Sequence, residues 1–149
     1  MESKEITTLT VQANIDAPIE KVWKSWTNPQ EIVKWNHASD DWHTTKAEND
    51  LRAGGIFNFR MEAKDGSFGF NFEGVYKNVL TQKNIEYAIA DGRKVKIVFS
   101  ALDKKTEVIE TFDAESTNPI EMQRGGWQAI LDNFKNMLRQ TKFILYLIQ

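Results

Sequence analysis

The chain has 149 residues, a formal net charge of −2, no cysteine and two histidines. That length predicts one domain over residues 1–149, with a sizeable core. The missing cysteines exclude disulfides and thiolate zinc sites, two histidines alone make a poor metal site, and no cofactor is expected. Interspersed charge leaves no footprint for nucleic acid, and no apolar run approaches the ~20 residues of a membrane span. Met1 to Glu5 lacks a signal peptide's pattern, so a cytoplasmic protein is expected.

Ile6 to Ile15 alternates, with Leu9, Val11, Ala13 and Ile15 on one face, and predicts a half-buried strand. Asp16-Ala17-Pro18 then opens a helix whose apolar stripe is Ile19, Val22, Trp23 and Trp26. Asn28-Pro29-Gln30-Glu31 ends it and caps a second short helix carrying Ile32 and Trp35, finishing near Asn36.

From Trp42 to Ala114 the chain predicts strands, punctuated by Gly54-Gly55, Asp65-Gly66, Asp91-Gly92 and Asp103-Lys104-Lys105. A turn at Asp65-Gly66 pairs Met61 with Phe70 and Phe59 with Phe72, collecting the large apolar residues on one face. A three-residue loop Asp91-Gly92-Arg93, with Gly92 left-handed, pairs Ile89 with Val95, Tyr87 with Ile97 and Ile85 with Phe99. The last strand, Thr106 to Phe112, admits two registers. The favoured one turns Val108, Glu110 and Phe112 inward, and the alternative turns Ile109 and Thr111 inward.

A long helix is predicted from Pro119 to Gln140, with Asn118 as cap, Pro119 at the first position and Glu121 reaching back. Ile120, Trp127, Ile130, Leu131, Phe134 and Leu138 share one stripe. Gln123 interrupts it, either as a ligand contact or bonded to a backbone carbonyl. Gly126 lies at the stripe's edge, where another backbone can approach, and a kink at the glycine pair is open. The apolar run Phe143 to Ile148 predicts a stabilising contact, within the chain or, less favoured, across a homodimer; a monomer is the expected state.

One amphipathic helix must cover a very apolar sheet face. A cavity lined by Phe57, Phe59, Met61, Phe70, Phe72, Tyr87, Trp127 and Phe134 is therefore expected, with a simply filled core as the alternative. Trp35, Trp42 and His43 are candidate ligand contacts at one end, and Glu110 and Gln123 are candidate polar contacts inside. The polar cluster His37, Asp40, Asp41 and His43 reads as an acid–base group or as a solvated loop. No nucleophile motif appears, and no catalytic residue is assigned.

The order strand, helix, helix, six strands, long helix resembles the helix-grip fold of START-like domains, an α+β class with a curved antiparallel sheet wrapped on the C-terminal helix. The stretches Trp35-Asn36-His37-Ala38-Ser39-Asp40-Asp41-Trp42-His43, Asp50-Leu51-Arg52-Ala53-Gly54-Gly55 and Thr111-Phe112-Asp113-Ala114-Glu115 go further. With Gln123-Arg124-Gly125-Gly126-Trp127-Gln128-Ala129-Ile130-Leu131, they look like the SRPBCC branch related to activators of the ninety-kilodalton heat-shock chaperone's ATPase. The resemblance spans Thr7 to Thr141. It implies a deep pocket for a hydrophobic or aromatic small molecule, such as a lipid, polyketide or flavonoid-like compound. The same fold also hosts cyclase-, dehydratase- or hydrolase-type enzymes and chaperone-contacting modules, which stand as alternatives.

Overall fold

The computed structural model describes residues 6–147, without the side chains of residues 142–146. The elements are β1 (Thr8–Ile15), α1 (Ile19–Thr27), α2 (Pro29–Trp35), β2 (Trp42–Asn49) and β3 (Ile56–Ala63). After them come β4 (Gly69–Leu80), β5 (Asn84–Ile89), β6 (Lys94–Leu102), β7 (Lys105–Asp113) and α3 (Ile120–Leu147). The strands form a seven-stranded antiparallel sheet in the order β1-β7-β6-β5-β4-β3-β2, wrapped around the C-terminal helix. This is the helix-grip architecture expected from the element order.

Local chemistry accounts for the short helices. The Asn28 side chain accepts from the Gln30 N–H at 3.0 Å, and Pro29 supplies the preset first turn of α2. Val22 and Trp26 of α1 and Ile32 and Trp35 of α2 are buried, as the spacing requires. Register breaks between Thr44 and Lys46 in β2, and between Tyr76 and Asn78 in β4, mark bulges that bend those strands. At Gly74 a Cβ would lie 2.4 Å from the Ala88 carbonyl oxygen and 2.9 Å from the Phe57 ring, so only glycine admits that ring.

The β3–β4 register is the expected one, with Phe59 opposite Phe72 and Met61 opposite Phe70. The β5–β6 register is not. Ile85 pairs with Ile97 and Tyr87 with Val95, because the three-residue loop is Ala90-Asp91-Gly92 and not Asp91-Gly92-Arg93. Gly92 has φ +96, and the left-handed residue stands last in such a loop, so the glycine fixes the loop one residue earlier. In β7 the favoured register holds: Val108, Glu110 and Phe112 are buried.

Helix α3 runs to Leu147, past the expected end at Gln140. Its start is held differently from the expected cap. Glu115 accepts from the N–H groups of Thr117 (3.1 Å) and Asn118 (2.6 Å), while Glu121 pairs with Arg124. Neither helical glycine meets another backbone: a Cβ at Gly125 or Gly126 would find open space. Of the predicted stabilising contact of Phe143 to Ile148, Leu147 is exposed, and the other side chains and Ile148 lie outside those described.

The two halves of α3 meet the sheet differently. Leu131, Phe134 and Leu138 are almost fully buried. Phe134 meets Trp26 at 4.9 Å and Trp35 at 5.0 Å edge to face, closing a packed aromatic cluster with Phe99. Trp127, one half-buried step earlier, stacks on Phe112 at 4.0 Å and 11°. Gln128 donates to the Gln12 carbonyl at the β1 edge, and Asn133 donates to the His37 carbonyl.

Phe134→Ala should cost about 3–5 kcal/mol in denaturant unfolding, since the ring has no room to be replaced by relaxation. Gly125→Ala should raise stability by about 1 kcal/mol in the same measurement, a gain of helix propensity without a steric cost.

Candidate functional site

Between the first turns of α3 and the curled sheet lies a cavity of about 490 Å³. Its inner end is the aromatic floor of Trp26 and Trp35, where the packed half of α3 begins. One wall is the row Phe57, Phe59, Phe72, Tyr76 and Tyr87, ring against ring at 4.8–6.4 Å. The opposite wall is Met122, Gly126, Trp127 and Ile130 of α3. Met122 and Phe70 are exposed at the mouth beside Trp42, whose ring lies 5.9 Å from Phe70. Gly126 adds to the hollow by presenting no side chain.

The structure brings together eleven of the residues singled out from sequence: Trp35, Trp42, Phe57, Phe59, Met61, Phe70, Phe72, Tyr87, Glu110, Gln123 and Trp127 all line this cavity. His43 does not. It alternates with inward Trp42 and buried Thr44 and stands opposite Glu62, so the pleat sends it to the outer face. Phe134 is core, enclosed by the tryptophans below the floor. The polar cluster also stays out of the cavity. Ser39 donates to Asp41 at 2.5 Å in an exposed loop, and burial lowers the pKa of His37 with Lys64 adding to the shift. From the α2–β2 connection it is Asn36, Ala38 and Ser39 that reach the lining.

The two inward polar residues have opposite fates. The Gln123 amide is consumed by the chain ahead of α3. Its Nε2 donates to the carbonyls of Glu115 (3.0 Å) and Asn118 (2.8 Å), and its Oε1 accepts from the Glu115 N–H at 2.9 Å. It therefore lines the cavity with its stem and holds the 115–118 turn with its head, which corrects its assignment as a polar ligand contact. Glu110 is 6% exposed, and among the described residues no hydrogen bond or ion pair reaches its carboxyl. Burial pushes its pKa up to about 8, so it is a neutral acid at pH 7.

Sequence reasoning missed several wall residues. Tyr76 shares the parity of Phe70, Phe72 and Gly74 on β4, and that alternation was enough to place it. Asn49 faces inward opposite Phe57 and accepts from the Tyr76 hydroxyl, while its own Nδ2 donates to the Thr27 carbonyl at 2.8 Å. The bulge in β2 resets its parity, so no alternation count from Trp42 reaches it. Arg93 reaches the lining from the β5–β6 loop with its Nε 2.8 Å from Asp91.

Among the described residues no helix is long and apolar enough to cross a membrane. No protein of curated function matches the sequence. Solved structures do. An AHSA1-like protein from Aeromonas hydrophila is 42% identical over 91% of this chain and 94% of its own, with a TM-score of 0.86. A protein from Cytophaga hutchinsonii is 52% identical over 89% of this chain and 92% of its own, with a TM-score of 0.77. One from Nitrosomonas europaea, at 19% identity and a TM-score of 0.78 over 91% and 96%, shares the fold. The family model described as Activator of Hsp90 ATPase homolog 1-like protein matches residues 16–139, and the chain belongs to that family.

Proposed function

We propose that this protein binds a hydrophobic or aromatic small molecule, of lipid, polyketide or flavonoid-like character, between α3 and the sheet, as a carrier and not as a catalyst. The carrying observation is the cavity itself. Its volume of about 490 Å³ falls in the range of small-molecule sites, and its walls are aromatic. A packed core leaves few voids larger than a water molecule, so a hollow of this size beside a tightly packed aromatic cluster supports a binding role. Family membership supports the same reading, since the fold commonly serves apolar ligands. The ligand-facing residues in this reading are Trp35, Trp42, Phe57, Phe59, Met61, Phe70, Phe72, Tyr87, Glu110 and Trp127.

Titration of a panel of flavonoids, fatty acids and polyketide-like aromatics, followed by NMR, tests the reading. Shifts at the Trp127 indole and at the Met122 and Ile130 methyls are expected. Shifts confined to exposed loops at saturating concentration would remove it. Gly126→Leu should abolish binding by filling the cavity while the melting temperature holds or rises, because the added side chain enters open space and improves helix propensity.

Glu110 supplies a second test in the ligand-free protein. Its folded pKa of about 8 lies above the ordinary 4.5, so the stability linked to its neutral form is complete below pH 4.5 and drains away as pH rises towards 8. Glu110→Gln should flatten that decline and leave the variant more stable than the parent above pH 8, by on the order of 2 kcal/mol, in unfolding measured across pH.

A further inference from the structure

We infer that Tyr87 and Glu110 form a hydrogen-bonding pair that receives the carbonyl oxygen of an aromatic or conjugated ketone inside the cavity. The inference rests on the binding role proposed above and narrows its ligand class.

Both residues face inward on strands that flank β6, and both line the cavity. Tyr87 is 9% exposed and Glu110 is 6% exposed. The Glu110 carboxyl is the largest charge influence on Tyr87, second only to burial itself. Among the described residues neither side chain makes a hydrogen bond or ion pair. Their polar neighbours are committed elsewhere: Tyr76 to Asn49, Gln123 to the 115–118 turn, and the Arg93 Nε to Asp91. Both side chains therefore line an apolar hollow with no protein acceptor for their O–H groups among the described residues.

The chemistry of that pair selects a partner. A hydrocarbon would leave both protons without an acceptor, at a cost that buried donors carry heavily. A carbonyl oxygen has two lone pairs and brings no proton of its own, so it matches two donors. A ligand carboxylate placed there would meet the same desolvation that keeps Glu110 neutral. Free fatty acids are accordingly poor candidates, and ketones on planar rings fit both the donors and the aromatic walls.

The pair works as donors only while Glu110 holds its proton. Within electrostatic reach is the Tyr87 phenol on β5, which Tyr76 on β4 and Arg93 from the β5–β6 loop influence in turn, all of them lining the same cavity. Helix α3 presents the uncharged Met122, Gln123, Gly126, Trp127 and Ile130, and flanking β1 and β6 present Val11 and Ile97. Burial raises both titrating groups, Glu110 to about 8 and Tyr87 above its ordinary value. Above pH 8 Glu110 becomes an acceptor and repels a carbonyl oxygen.

Calorimetric titration of 2-acetylnaphthalene against 2-ethylnaphthalene, with the carbonyl stretch of the bound ketone read by infrared spectroscopy, tests the pair. At about pH 6.5 the ketone should bind roughly tenfold tighter than the ethyl analogue, with its stretch moved to lower wavenumber. That advantage should shrink at about pH 9.5, while the ethyl compound's affinity stays level. Tyr87→Phe should reduce both the advantage and the stretch shift, and Glu110→Gln should remove the pH dependence. Equal binding of the two compounds at both pH values, with an unshifted stretch, would overturn the pair and leave the cavity's binding role standing. If neither compound binds, the binding role falls and takes this inference with it.

Discussion

The packing of Phe134 against Trp26 and Trp35 is the contact on which the rest of the architecture depends. It anchors the middle of α3 to α1 and α2, and through Phe99 to the centre of the sheet. Edge-to-face geometry fixes the approach of the rings as well as their burial, which sets the helix at a defined height. With that point pinned, the N-terminal turns of α3 project over the β3–β4–β5 wall. The Trp127 ring stacked on Phe112 then acts as a spacer on the β7 side. The hollow is what remains when a helix is fixed at its middle above a strongly curved sheet.

Much of this was written in the alternation of the chain. The β3–β4 register followed from the requirement that Phe57, Phe59, Met61, Phe70 and Phe72 share one face, because a slip by one residue would expose all of them. The inward turn of Glu110 followed from its place between Val108 and Phe112. The β5–β6 register was missed by two residues along the partner strand. There, apolar residues tolerate either pairing, and the deciding fact was the position of Gly92 within its loop. His43 was grouped with Trp42 by adjacency, although neighbours on a strand face opposite ways.

Gln123 and Glu110 show where sequence stops being informative. Each is a polar residue interrupting an apolar face, and the pattern treats them alike. The difference is geometric: one lies a short reach from three backbone groups of the turn ahead of α3, and the other faces open space. Partners contributed by a non-periodic turn cannot be counted from spacing. The same holds for Asn49, whose orientation depends on a bulge that hydrophobic patterning does not reveal.

The tie between Gln123 and the 115–118 turn also bears on how fast the interior exchanges with solvent. With three hydrogen bonds closing that turn, and Glu115 holding two more amides, the backbone beside the mouth is a fixed frame. The groups free to yield there are the exposed side chains of Phe70 and Met122, which relax by rotamer hops on the picosecond-to-nanosecond scale. Rotation of these side chains can therefore reshape that end of the cavity while the backbone of the turn stays in place.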